Sequence, residues 1–181
     1  MKKFILGKKV TMTQIFEDDG TVVPVTIVQS APMTVTQLKT DEKDGYKAIQ
    51  VQSGRVKKEF KLTEGSFENG ASIDVSVFAL GDFVKVSGLK KGRGFQGVVK
   101  RHGFKGAPKT HGTKHAHREP GSIGAVWPQR VLKGTRMGGR MGQERITVRN
   151  LKVAKIDIEK NQLYLRGAVP GARGTLLEIT A

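Results

Sequence analysis

Cysteine is missing from all 181 residues, which removes disulfides, thiolate nucleophiles and cysteine-ligated zinc from consideration. Acids are scarce as well. Sixteen Asp and Glu stand against 32 Lys and Arg, leaving a net charge of +16 and a pI near 10.3. A chain so short of negative charge points to a polyanionic partner, because cations aligned on a phosphate backbone gain affinity by releasing condensed counterions. Long apolar runs are also lacking: Phe4-Ile5-Leu6 is too short to be the core of a signal peptide, and no window approaches a membrane span. A soluble, cytoplasmic chain is therefore expected. An anionic membrane surface would require an amphipathic helical face or a lipidation motif, and neither is present.

Sustained helical periodicity is a further absence, and what remains reads as many short strands. Gln14-Ile15-Phe16 runs into the turn signal Asp18-Asp19-Gly20 and then Thr21–Gln29, a hairpin. Pro24 cannot donate to a ladder, which assigns it to an edge or a bulge. Met33–Lys39 and Tyr46–Gln52 alternate around a turn over Asp41–Gly45, and Ser72–Val77 and Asp82–Val86 alternate again. The polar residues from Lys57 to Gly70 read as a surface connection with a short helical turn. Arg145–Val148, Leu151–Ile158, Leu163–Leu165 and Thr175–Ile179 supply further strands, with turns at Asn161-Gln162 and Pro170-Gly171. This pattern predicts an all-β fold, a closed antiparallel barrel.

The charge is local. Gly88 to Arg145 holds fourteen Lys or Arg against Glu119 and Glu144, a net +12 of the chain's +16. It also holds all four histidines, the single Trp and thirteen of the 23 glycines. Large aliphatic residues there follow no period, so burial cannot offset the entropy of ordering the backbone, and the stretch is expected to fold only against its partner. The implied organisation is a barrel from residues 1–87 and 146–181, with 88–145 inserted as an extended loop. Fifty-odd residues folded back on themselves span several tens of Å at roughly 3.3 Å per extended residue.

Several motifs in this stretch carry competing readings. Gly92-Arg93-Gly94-Phe95-Gln96-Gly97 matches the dinucleotide pattern, but Gly103, Gly106 and Pro108 break the helix that pattern requires, and His117 stands where its acid belongs. Glycines beside Lys90, Lys91 and Arg93 fit close backbone approach to phosphates better. His111, His115 and His117 lack the Cys or spaced carboxylates of a metal site, and are better read as donors to phosphate or rings stacking on bases. A His117–Glu119 acid–base pair has no nucleophile or metal clamp. Phe95, Phe104 and Trp127 interleave with the cations; their rings either stack on bases or plug small satellite cores. The predicted RNA-contacting set is Lys90, Lys91, Arg93, Lys100, Arg101, Lys105, Lys109, His111, Lys114, His115, His117, Arg118, Trp127, Arg130, Lys133, Arg136, Arg140 and Arg145. No cofactor, metal or small-molecule substrate is expected. A free-standing nucleic-acid chaperone would need the same charge without one fixed RNA partner.

Five ordered segments carry a resemblance: Gly7–Phe16, Lys91–Arg101, His117–Gly124, Gly139–Arg145 and Gly167–Gly171. In these the chain resembles the bacterial ribosomal protein L three family over nearly its whole length. The resemblance implies a six-stranded translation-protein-type β-barrel and a long loop threading 23S-type ribosomal RNA toward the peptidyl transferase centre. It also implies an early role in large-subunit assembly and neighbours resembling ribosomal proteins L fourteen and L nineteen. In that picture Lys90 to Lys109 line the base of the loop, Arg118 to Arg140 neutralise phosphates deeper in the particle, and His111, His115, His117 and Trp127 dock on bases or sugars. Three departures from the family pattern stand out. The connection between Ser53 and Ser72 is short; Arg140 occupies a position where some members carry a methylated glutamine; Thr11 replaces a frequent glycine.

The coreless composition of the basic stretch sets its behaviour without a partner. Amides of the barrel strands should resist hydrogen exchange in the unbound protein, while those from about Lys100 to Gly142 exchange freely. Protection throughout, without RNA, would contradict this.

Overall fold

A computed structural model describes residues 3–61 and 67–181. It separates into two compact units, one comprising residues up to Lys90 together with Glu144–Ala181, the other Lys91–Gln143.

In the first unit the chain forms β1 (Phe4–Phe16), β2 (Val22–Gln29), β3 (Met33–Lys39), a single helical turn α1 (Asp41–Asp44), β4 (Ala48–Ser53), β5 (Val56–Lys61), β6 (Ser72–Ile73), β7 (Phe83–Leu89), β10 (Arg145–Asp157), β11 (Gln162–Arg166) and β12 (Leu176–Thr180). β8 and β9 belong to the second unit and are described below. Six strands close into an antiparallel barrel in the order β1-β12-β7-β10-β11-β2. The ring closes because β1 is long enough to serve two neighbours. Its first half pairs with β12, from Phe4 opposite Thr180 to Lys8 opposite Leu176. Its second half pairs with β2, from Lys8 opposite Gln29 to Phe16 opposite Val22, across a register shift between Lys9 and Thr11 that bends the strand. Pro24 falls one residue past the last β2–β11 pair, Val25 with Arg166, so its missing N–H leaves no gap in that ladder, and its carbonyl accepts from the Gly167 amide at 2.8 Å.

The remaining strands form a separate sheet, β5-β4-β3-β6, which the expectation of one barrel did not include. Phe4-Ile5-Leu6 explains how the two sheets share a core. Successive side chains alternate faces along a strand, yet all three are buried, so this end of β1 is covered on both sides. Phe4 stacks on Phe60 of β5 with ring centroids 4.5 Å apart, and the Leu6 amide donates to Met33 Sδ of β3 at 3.1 Å. Leu163, Leu165, Leu177 and Ile179 from the barrel and Val35, Ile49 and Val51 from the second sheet belong to the same buried cluster. Each such side chain contributes about 1.5–3 kcal/mol on leaving water.

Three further expectations change. The segment read as a surface connection from Lys57 to Gly70 begins as strand β5, where Lys57-Lys58-Glu59 face outward and only Phe60 turns in; residues 62–66 of it lie outside the described residues. The strand expected over Ser72–Val77 stops at Ile73, because the Asp74 carboxylate accepts from the Ser76 amide at 2.8 Å and starts a 3-10 turn over Val75–Val77. The two strands expected over 145–148 and 151–158 are one, β10, interrupted by a register shift between Val148 and Leu151 where Asn150 takes φ 58°. The ladder of β7 with β10 also reaches Leu89 opposite Arg145, so Gly88, Leu89 and Arg145 belong to barrel strands rather than to the inserted stretch.

Truncating Phe4 should empty the contact between the two sheets. Phe4→Ala is expected to lower unfolding free energy by about 3–5 kcal/mol, read from urea midpoints, whereas Phe95→Ala, at a side chain 78% exposed, should change it by under about 0.5 kcal/mol. Equal effects of the two would refute this placement of the core.

Candidate nucleic-acid interface

Lys91–Gln143 is held by backbone rather than by a core. Among its described residues Val98 is the one buried apolar side chain. The base of the unit is a narrow hairpin of β8 (Phe95–Gln96) and β9 (Gly139–Arg140), pairing Phe95 with Arg140 and Gln96 with Gly139. Below it the Arg93 amide donates to the Met141 carbonyl at 2.9 Å and the Met141 amide to the Gly94 carbonyl at 2.9 Å. Gly142 makes this closeness possible: its φ is +87°, and a Cβ there would stand 2.2 Å from the Lys91 carbonyl oxygen.

Past the hairpin a five-residue helix α2 (Val98–His102) leaves from Gly97 and ends at Gly103 in the left-handed region. The dinucleotide-like glycines therefore sit in a hairpin and one short turn, without the long helix a pyrophosphate site uses. Arg101 of α2 reaches across to the Met137 carbonyl, Nη1 to O 2.7 Å, and His102 Nε2 lies 3.0 Å from the same oxygen. Farther on, the Ala107 amide donates to the His117 carbonyl at 3.1 Å, and the His117 ring Nδ1 lies 3.3 Å from the Pro108 carbonyl. A 3-10 turn covers Ala116–Arg118. His111 stands at φ 59° and is in no helix, so the i, i+4 geometry that would bring it beside His115 does not form.

The sequence-derived set divides between the units. Lys91, Arg93, Lys100, Arg101, Lys105, Lys109, His111, Lys114, His115, His117, Arg118, Trp127, Arg130, Lys133, Arg136 and Arg140 lie in the second unit. Lys90 and Arg145 lie in the first, and both already have acidic partners. Lys90 Nζ is 2.6 Å from Glu144 Oε2, and the Arg145 guanidinium pairs with Glu178. Arg140 donates to the Gln143 side-chain oxygen. In the second unit no ion pair forms among the described residues, although twelve Lys and Arg are present. Mutual repulsion is thus unrelieved by internal acids, and counter-charge has to come from outside.

The aromatic rings resolve differently. Phe95 and Trp127 are 78% and 77% exposed, so neither plugs a satellite core; Phe104 is half-buried beside His102, with ring centroids 6.1 Å apart. Val126, Leu132 and Ile123 are exposed as well and were not anticipated, since isolated aliphatics without a period give no signal in the sequence. Lys85 and Arg149 were missed for another reason. They lie on neighbouring barrel strands and, with Arg145 and Glu178, line a groove of about 650 Å³ in the first unit. Only the β7–β10 register brings them together.

The second unit is thus a cationic, glycine-rich excursion from an all-β body, and among the described residues no cluster of His, Asp and Glu is placed to hold a metal ion. Comparison with known proteins gives the family. A profile described as Ribosomal protein L3 matches residues 22–164. Two relatives, each named Large ribosomal subunit protein uL3, come from Pseudomonas syringae pv. syringae (strain B728a) and Pseudomonas syringae pv. tomato (strain ATCC BAA-871 / DC3000). Each is 43% identical over 194 aligned positions, covering 94% of this chain and 92% of its own. The chain belongs to the ribosomal protein L3 family, a family of structural, non-enzymatic ribosomal components.

The backbone lock at Gly142 can be tested directly. Gly142→Ala should leave the barrel's melting midpoint unchanged but open the base of the second unit, raising trypsin cleavage after Lys91 and Arg93 severalfold. Unchanged cleavage would show that the close approach is dispensable.

Proposed function

We propose that this protein is a structural constituent of the large ribosomal subunit that binds 23S-type ribosomal RNA directly through residues 91–143. The barrel, of the translation-protein type, serves as the anchor. The basic unit follows the RNA inward toward the peptidyl transferase centre and becomes fully ordered on it, and through this contact the protein helps nucleate subunit assembly. Neighbours resembling ribosomal proteins L fourteen and L nineteen complete its surroundings.

One observation carries the reading: twelve cations share the second unit with a single acid and no internal ion pair among the described residues. Folded protein does not normally concentrate like charge this way unless a polyanion shares the site. Exposed Phe95 and Trp127 supply flat faces for unpaired bases, and the glycine turns let the main chain come close to a phosphate backbone. Arg130, Lys133 and Arg136 would neutralise phosphates, as would Arg118 and Arg140, while His111, His115 and His117 would donate to phosphate or sugar. Arg145 and Lys90 act differently under this reading, each exchanging an acidic partner for phosphate at the barrel's edge.

If about ten phosphates are engaged, the logarithm of affinity should fall with the logarithm of salt concentration at a slope of about −7 to −9, measured by filter binding to large-subunit RNA. A slope of about −2 would defeat the contact estimate. In cell extract the protein should co-sediment stoichiometrically with large subunits. A pool found only in the soluble fraction would favour a free-standing nucleic-acid chaperone.

A further inference from the structure

The lone carboxylate of residues 91–143 breaks an otherwise uniformly positive surface. Glu119 is the single acid there, and among the described residues it pairs with none of the twelve cations around it. A carboxylate in such a field gains Coulomb energy from any ammonium it reaches, so standing apart from all of them calls for a reason.

Glu119 instead lines a slot of about 480 Å³ with Phe104, Gly106, Ala107, Ala116 and Pro120, and Lys105 stands at the same slot. Two chain segments build it. The Ala107 amide donates to the His117 carbonyl, which holds residues 104–107 against 116–121. Gly106 sets their separation: at φ +77° a Cβ would lie 2.4 Å from the His117 carbonyl oxygen, so the backbones meet with no side chain between them. The residues lining it include one aromatic, two alanines and a proline, and Glu119 is its one acid.

We infer that this slot receives one unstacked guanine base of the bound RNA, an assignment that rests on the RNA-binding reading above. The base lies against Phe104 and the small apolar side chains, and its N1–H and N2–H groups donate to the two oxygens of Glu119. Guanine fits because its Watson–Crick edge carries two adjacent N–H donors, matching a carboxylate as a guanidinium does. Adenine and cytosine place an acceptor nitrogen beside their amino group, facing the carboxylate with a lone pair. Uracil flanks its single N–H with two carbonyls. Lys105 takes the adjoining phosphate. A phosphate inside the slot itself is disfavoured, since it would meet Glu119 charge to charge.

The test uses the full-length protein and two hairpin RNAs differing at one bulged nucleotide, guanosine or inosine, with affinities read by fluorescence anisotropy at fixed salt. Inosine keeps N1–H but lacks the 2-amino donor. The guanosine hairpin should bind about tenfold more tightly, the loss expected when a hydrogen bond to a charged group is deleted. Glu119→Gln, which replaces one acceptor oxygen by an amide donor, should bring the two hairpins within about twofold of each other. Equal affinity of the unaltered protein for both hairpins would overturn the guanine slot while leaving RNA binding intact. A preference that survives Glu119→Gln would overturn the role of Glu119. Binding to neither hairpin at low salt would overturn the RNA-binding reading and the slot with it.

Discussion

Repulsion among like charges is the constraint around which this molecule is arranged. The second unit holds twelve basic side chains, one acid and one buried apolar residue, so neither burial nor internal pairing offsets the energy of bringing those cations together. The protein meets that constraint by spending backbone geometry instead of side-chain packing. A two-pair hairpin, one five-residue helix and a few glycine-permitted close approaches are enough to define the path, while nearly every charged group stays at the surface. The first unit does the opposite. It buries aliphatic and aromatic side chains on both faces of β1 and matches many of its cations with acids, as in Lys3 with Asp82 at 2.6 Å and Lys39 with Glu59 at 3.0 Å.

Those pairs leave a mark on the acids themselves. Hydrogen bonds from Lys39 and the Tyr46 hydroxyl hold Glu59 below the ordinary carboxylate range, and Lys3 with the Ala79 amide does the same for Asp82. Both carboxylates bind protons less readily folded than unfolded. Their contribution is present at neutral pH and is lost as pH falls through the lowered values. All of these groups are solvent-exposed enough for salt to screen them, so their service is to fix local geometry more than to supply stability.

Sequence alternation revealed the β character of the chain and most of its strands, because period-two burial survives in short segments such as Val84-Lys85-Val86 and Leu163-Tyr164-Leu165. It failed where one face is polar enough to hide the period, as in Val56–Lys61, where three charged residues precede the inward Phe60. It also failed where a bulge interrupts the count, as at Asn150, which made one strand look like two. Assignment of strands to two sheets is a long-range property, decided by contacts such as Phe4 on Phe60 that separate residues by more than fifty positions. For the basic region, charge counting located the cationic residues but could not say that Lys90 directly follows one barrel strand and Arg145 opens another, each with an acid already beside it. Nor could it separate Glu119 from a merely solvated acid, since the slot depends on His117 meeting Ala107.

The way the second unit is attached has a mechanical consequence. Its two ends, Lys91 and Gln143, continue directly into β7 and β10, which lie side by side in the barrel and are flanked by β12 and β11. Either strand can leave the barrel only by breaking a ladder on each of its sides, that with β12 for β7 and that with β11 for β10 besides the one they share. Gly88 opposite Leu177 and Val153 opposite Leu165 are among the pairs that would have to part. Both junctions are therefore stitched in from either side, and neither end of Lys91–Gln143 can come loose through the fraying of a single edge strand.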